Sequence, residues 1–247
     1  MNEYFIDINC DVGEGVGNEA DLFPFISSCN IACGGHAGSL KTMMQVAQLA
    51  AKHGIKVGAH PSYPDKANFG REVMDISKEE LEQSIQTQLA TFDEVLKQQQ
   101  ISLHHIKAHG ALYNQTAKDE KLAKVYLKAI QAYKNKALLY VPFKSVVAQL
   151  ALEMEFKIAH EAFADRNYNA DLSLVSRKEQ NALIQNPEQV LQHILPMIKQ
   201  GKVKAMNNEF VEISAQTLCV HGDTAAALEI LTYISEELPR NQVHIEK

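Results

Sequence analysis

Short apolar runs recur along this chain, and polar or ionisable side chains follow each one. Phe5–Asn9 leads into Asp11 and Glu14, Ile31–Cys33 into His36, Lys56–Ala59 into His60, and His104–Lys107 into His109. Runs of this length predict buried strands. Ala137–Val141, Phe156–Ala159 and Thr217–Val220 bring the set to about seven. Between the runs, apolar residues return at helical spacing. Leu40, Met43, Met44, Ala47, Ala50 and Ala51 form one such stripe, closed by Gly54. Leu81, Ile85, Leu89, Phe92 and Leu96 form another, behind a capping box at Ser77–Glu80. Leu122, Val125, Tyr126, Ala129, Ile130 and Tyr133 form a third. A helix starts near Ser145. Another starts at Asn186, with Pro187 at its first position and Pro196 as a kink point. Val203–Ile213 reads as a small hairpin around Asn207-Asn208. A last helix runs through Ala227, Leu228, Leu231 and Ile234, with Asp223 as its N-cap.

Strands alternating with helices imply an α/β fold with parallel strands and right-handed crossovers. The helices cover both faces of an open sheet or the outside of a barrel. Either way, an active site forms from loops at the carboxyl ends of the strands. The polar positions recur at those ends, and that pattern points to an enzyme.

Composition narrows this further. A length of 247 residues suits a single barrel domain spanning 1–247, and 46% apolar content supports a sizeable core. A formal net charge of −6 argues against nucleic acid or an anionic membrane as a general partner. The first residues lack the basic and apolar regions of a secretory signal, and no run is long enough to span a bilayer. Cys10, Cys29, Cys33 and Cys219 fit no zinc-ribbon spacing. A reduced, cytoplasmic location is expected.

The candidate chemistry lies in six places. Strand alternation puts Asp7, Asn9 and Asp11 on one face, where carboxylates need a partner or a metal; a polar loop turning at Gly13 is the bland alternative. His36 follows a Gly-rich turn that lacks the Lys-Ser/Thr ending of a nucleotide-binding loop. His60 ends a strand before Pro61. Lys107 shares a face with His109, and a lysine on the inner face of a strand is rare. Glu161, Asp165 and Arg166 are read as a loop after the sixth strand, able to clamp a carboxylate or move a proton. His221 and Asp223 join the last strand to its helix. Histidines and aspartates at several strand ends could hold a metal with an open position, and a metal-free network explains the same residues. His104, His105 and His160 are read as core or barrel-wall groups, and His53, His193 and His244 as peripheral.

Seven segments in order give a resemblance: IDINCDVGEG, NIACGGHAG, VGAHPSYPD with FGR, HIKAHGALYN, EAFADRNY, LVSR and LCVHGD. Together they resemble the LamB/YcsF family over nearly the whole chain. The resemblance implies an irregular (β/α) barrel like those of glycoside hydrolases and deacetylases. It implies ATP-dependent opening of the lactam of 5-oxo-L-proline to L-glutamate. ATP is then a co-substrate, with Mg, and the 5-oxoprolinase subunits B and C are partners. Carried over by likeness are Asp11, Lys107, Glu161, Asp165 and Arg166 as catalytic, and Asp7, Asn9, Glu14, His36, His221 and Asp223 as substrate-binding. By likeness to metal-dependent deacetylases, Asp11, His60 and His109 would hold a divalent metal at the barrel mouth. The sequence departs from the family at Gly35, where a bulkier residue is usual, and at Ala108, where Pro is usual. It departs again at Leu172, where Gly is common, and near Gln216 and Thr217, where an acidic residue is common. Two other readings stay open: a self-sufficient metal-dependent amide or N-acetyl hydrolase, and a non-catalytic lactam-binding subunit.

Overall fold

The computed structural model describes residues 2–246. Six strands line up in chain order, each parallel to its neighbour: β1 (Tyr4–Val12), β2 (Ser28–Ala32), β3 (Lys56–His60), β4 (Leu103–Lys107), β5 (Leu138–Pro142) and β6 (Ile158–Phe163). β7 (Lys202–Lys204) and β8 (Phe210–Glu212) form a separate antiparallel hairpin, as the Asn207-Asn208 turn suggested. β9 (Thr217–His221) pairs with β6 on one side and β1 on the other, so seven parallel strands close a barrel. β10 (Val243–Ile245), unforeseen from the pattern, adds in parallel to the start of β1. Seven strands, a register shift at Val57/Gly58 and the inserted hairpin make the barrel irregular.

The helices are α1 (Glu19–Leu22), α2 (Leu40–Lys52), α3 (Lys78–Gln98), α4 (Gly110–Thr116), α5 (Glu120–Ala129), α6 (Val146–Glu153), α7 (Pro187–Gln200) and α8 (Ala227–Arg240). Local chemistry fixes their ends. Ser39 caps α2 through the Thr42 amide, and Ser77 and Glu80 close the capping box of α3. Asn186 caps α7, with Pro187 in its first turn and Gly201 left-handed at its end. α3 buries Leu81, Ile85, Leu89, Phe92 and Leu96, each contributing about 1.5–3 kcal/mol of apolar transfer. Among the described residues, no helix is long and apolar enough to cross a membrane.

Several sequence expectations shift. The sixth strand lies at 158–163 rather than 156–159, so Glu161 is a strand residue and not part of a loop. The second lies at 28–32, and the first runs on to Val12. Asp223 does not cap α8. The chain turns once more through Thr224, the helix begins at Ala227, and the Asp223 carboxylate pairs with Arg71 instead. His193 is not peripheral, because it bonds the Arg166 carbonyl at 3.0 Å beneath the barrel loops.

Strand alternation divides the core in two. Ile6, Ile8, Cys10 and Val12 of β1 join the apolar layer under the helices. Asp7 bonds instead to Ser28 of the neighbouring β2, while Asn9 and Asp11 reach Glu161 on β6 and Lys107 on β4 through the lumen. A barrel lumen is usually filled by branched aliphatic side chains. Here it holds Asp7, Asn9, Asn30, His105, Lys107 and Glu161, nearly all fully buried. His105 enters the lumen over Gly58, where any Cβ would overlap its imidazole ring. It bonds Asn30 at 2.6 Å and stacks on Tyr140 with ring centroids 4.0 Å apart.

Candidate active site

The carboxyl ends of the strands open into a cavity of about 740 Å³. Asp11, Glu14, His60, Lys107, His109, Arg166 and His221 line it, all of them singled out from sequence. Three groups of side chains meet there.

Lys107 centres the first. Its ammonium lies 3.0 Å from Asp11 Oδ1, 2.9 Å from Glu161 Oε1 and 3.1 Å from Cys219 Sγ. Asn9 donates to Glu161 Oε1 at 3.0 Å, and Asn30 donates to Asp11 Oδ1 at 2.8 Å. Burial alone would lower the pKa of Lys107. Asp11, Cys219 and Glu161 outweigh it and hold the pKa well above the usual lysine range. Burial likewise favours protonated Asp11, but His60 and Lys107 win and keep it ionised. A charge network this deep is sustained by mutual pairing.

The second group is Glu14, His36, His60 and His109, whose donor atoms all lie within 4.8 Å of one another. His60 Nδ1 donates to the Lys107 carbonyl at 2.8 Å, and His109 Nε2 donates to the Phe69 carbonyl at 2.9 Å. Carbonyls only accept, so these bonds fix both tautomers. In the neutral rings, the bare nitrogens His60 Nε2 and His109 Nδ1 then face each other at 3.0 Å. Glu14 Oε1 adds a further acceptor 3.3 Å from His109 Nδ1, and Asp11 Oδ2 another 3.4 Å from His60 Nε2. Acceptors converging in this way call for a shared proton or a metal cation among them. Burial lowers the pKa of His36 and of His109, so neither ring readily supplies a proton. Burial, and then Asp11, push the Glu14 carboxyl up to about 7. The donor set, with two rings oriented by backbone carbonyls, suits a divalent metal.

Asp165 and His221 form the third group. Asp165 accepts from His221 Nδ1 at 2.9 Å and from the His221 amide at 3.1 Å. Burial raises the Asp165 pKa, and His221 more than reverses this.

The remaining candidates lie elsewhere. Asp7 sits at the floor of the lumen, bonded to Ser28 and Thr217. Asn9 lies one layer above it, beneath the mouth. Arg166 lines the cavity, but its guanidinium donates to the carbonyls of Ala182 and Val175 and so pins the loop that carries Arg177 and Lys178. Asp223 pairs with Arg71 at the rim. Sequence reasoning overlooked Arg71, Arg177 and Tyr113 as cavity groups, although FGR, LVSR and HIKAHGALYN contain them. Two of the departures from the family pattern, at positions 35 and 172, can be placed locally. Gln88 and Ser62 fill the space where a Cβ at position 35 would go. Leu172 adopts a left-handed φ of 66°, a conformation that suits Gly.

The model of the LamB/YcsF family matches residues 6–247. The chain belongs to this family. A relative from Thermococcus sibiricus, named as the A component of 5-oxoprolinase, is 41% identical, over 97% of this chain and 96% of its own length. Another of that name, from Bacillus cereus, is 39% identical over 97% of each. Among solved structures, the lactam utilization protein from Thermus thermophilus superposes with a TM-score of 0.90 at 33% identity, covering 98% of both chains. The irregular (β/α) barrel implied by the family resemblance, with the strand count of about seven read from the apolar runs, is therefore also the fold of a solved relative.

Proposed function

We propose that this chain opens the lactam of 5-oxo-L-proline to L-glutamate as the A component of an ATP-dependent 5-oxoprolinase. The observation that carries the reading is one cavity where the Glu14–His36–His60–His109 cluster meets the Lys107–Asp11–Glu161 network. The names of the relatives supply the substrate.

A divalent ion held by Glu14, His36, His60 and His109 would supply Lewis acidity toward a carbonyl oxygen. The chain's own groups do the rest. Lys107, fixed between two carboxylates, stabilises negative charge that develops as the carbonyl is attacked. Asp11, kept ionised, accepts a proton from attacking water. Asp165 holds His221 through Nδ1, which leaves Nε2 to carry a proton to the departing ring nitrogen. Arg177 and Lys178, on the loop pinned by Arg166, meet the substrate carboxylate.

A lactam is a resonance-stabilised amide. Phosphoryl transfer from ATP to its oxygen, releasing ADP, would make the ring carbon a better electrophile. Water adds there, the ring nitrogen leaves as the amine, and a second water hydrolyses the resulting acyl phosphate to glutamate and phosphate. The sequence has no Walker-type loop, so the proposal assigns Mg-ATP to a boundary with the partner subunits B and C, or to a partner itself. It also assigns the chain to the cytoplasm, where its four buried free cysteines stay reduced. The test follows 5-oxoproline and ATP consumption together, with the chain alone and with B and C, and measures metal in the same samples. Joint consumption in the complex is expected, and its absence would sink the proposal.

The cation-seeking cluster also favours a second reading, a metal-dependent amide hydrolase that works without ATP. Lactam or N-acetyl turnover by the isolated, metal-loaded chain would select it.

A further inference from the structure

Two buried polar atoms beside the cavity have no hydrogen-bond partner: Glu161 Oε2 and the Tyr113 hydroxyl. Their residues are 2% and 5% exposed. The other Glu161 oxygen is engaged by Lys107 at 2.9 Å and Asn9 at 3.0 Å. Leaving such atoms unpaired in a folded protein is costly. Asp7 Oδ1, at the closed floor of the lumen, also lacks a hydrogen bond but has the Lys56 ammonium 3.7 Å away. The Glu161–Tyr113 pair differs in bordering open space, and so marks a place for a ligand.

A side chamber of about 420 Å³ adjoins the main cavity. Tyr113, Asn114, Phe163 and Leu174 line both, while Glu161 lines the side chamber. Burial, and then the nearby Glu161 carboxylate, raise the Tyr113 pKa well above the usual value. The phenol therefore keeps its proton and remains a donor. It stands near the carboxylate without closing a hydrogen bond of normal geometry to it. The site offers one strong acceptor and one donor, close together, with Asn114, Lys118 and Asp171 also on the chamber wall.

We propose that Glu161 Oε2 and the Tyr113 hydroxyl read the cis-amide edge of a lactam, the carboxylate accepting from the ring N–H and the phenol donating to the ring carbonyl. The inference deepens the 5-oxoprolinase reading and rests on it. In a five-membered lactam, N–H and C=O lie on the same side of the amide bond. One edge then presents a donor and an acceptor side by side. An open-chain secondary amide is almost always trans and presents the two on opposite sides. It can satisfy one of the two protein atoms and leaves the other buried and bare. Sites built to pair a buried polar group reject ligands that fail to do so. Phe163 stands edge-on to Tyr113, with ring centroids 5.6 Å apart, and gives the ring methylenes an apolar wall. Tyr113 is thus a specificity-determining residue in contact with substrate.

The experiment is calorimetric titration of the full chain with 5-oxo-L-proline and with its N-methyl derivative, for the unaltered protein and for Tyr113→Phe. Thermal unfolding of each ligand-free protein is recorded alongside. N-methylation removes the donor and blocks the edge, so affinity falls by about a hundredfold or more. Tyr113→Phe removes one neutral hydrogen bond, so lactam affinity falls about tenfold. Its ligand-free melting temperature stays level or rises, because the deleted hydroxyl has no partner to lose. A lowered melting temperature with unchanged affinity would make Tyr113 structural and overturn the inference. Equal binding of the two ligands would also overturn it while leaving the lactam reading in place. Absence of 5-oxoproline binding by the unaltered chain would overturn both.

Discussion

At the floor of the lumen, Asp7 Oδ2 accepts from Thr217 at 2.6 Å and Ser28 at 2.7 Å, while the Lys56 ammonium stands 3.7 Å from Oδ1. Asn9, Asn30 and His105 join the same web. At the mouth of the same barrel, two bare imidazole nitrogens face each other at 3.0 Å, and Glu161 Oε2 and the Tyr113 hydroxyl are unpaired. Floor and mouth are both built from polar side chains around one barrel, the mouth drawing also on His109 and Tyr113 of α4 and its cap. What separates them is how far the bonds close: at the floor Asp7 Oδ1 lacks a hydrogen bond but has the Lys56 ammonium 3.7 Å away. A nearly closed polar web specifies one arrangement of the lumen, and a more open one leaves bonds for something that must arrive from outside. Polarity alone would not have told the two regions apart.

That contrast can be broken by experiment. The largest effect belongs to Lys107, where the two regions join. Lys107→Met strips the counter-charge from buried Asp11 and Glu161 and should cost about 3–5 kcal/mol in chemical denaturation. A loss under about 1 kcal/mol would mean the network behaves like an exposed pair. The mouth should respond to metal. Zinc at a hundredfold excess over its dissociation constant should stabilise the protein by about 2.7 kcal/mol, and His109→Ala should abolish the gain. A gain that survives in His109→Ala would remove that ring from the metal site. The floor should answer to its internal bonds instead. Thr217→Val breaks the links to Asp7 and Asn9 and should cost about 1–3 kcal/mol, with the zinc response intact.

Acid gives a further separation. Burial lowers the pKa of His105 well below its ordinary 6.5. The folded state therefore keeps this ring neutral while the unfolded chain protonates it. Its contribution is complete above pH 6.5 and is lost as pH falls below that value. His105→Gln should show a shallower loss of stability below pH 6.5 than the unaltered protein; identical slopes would point to another group. The smallest effect is expected at the rim, where Asp223→Asn loosens a partly exposed ion pair with Arg71 and should change stability by no more than about 1 kcal/mol.

Much of this was legible from residue order. Strands, helices and the positions of His60, Lys107 and His109 follow from apolar periodicity and strand ends. Depth was not legible. Asp7 and Asp11 share a face by alternation, yet four residues of strand separate them by about 13 Å, which puts one at the floor and the other at the mouth. The partners of His60 and His109 were also hidden. The convergence of Glu14 and His36 depends on how two loops fold back, and local spacing does not encode that. Glu161 was misread as a loop residue because its strand continues through Ala162 and Phe163 beyond the first apolar run. Arg166 illustrates a different gap. Its charge was evident, but the carbonyls of Val175 and Ala182 that claim it lie on an irregular segment with no periodic signal.

The seat of His105 over Gly58 also bears on how this sequence can drift. A methyl group at position 58 is barred while the imidazole occupies position 105. Neither site can enlarge first, so change must begin with a smaller residue at 105. Aligned relatives should then show the two positions varying together, with bulk moving from one to the other, and that correlation can be sought without purifying any protein.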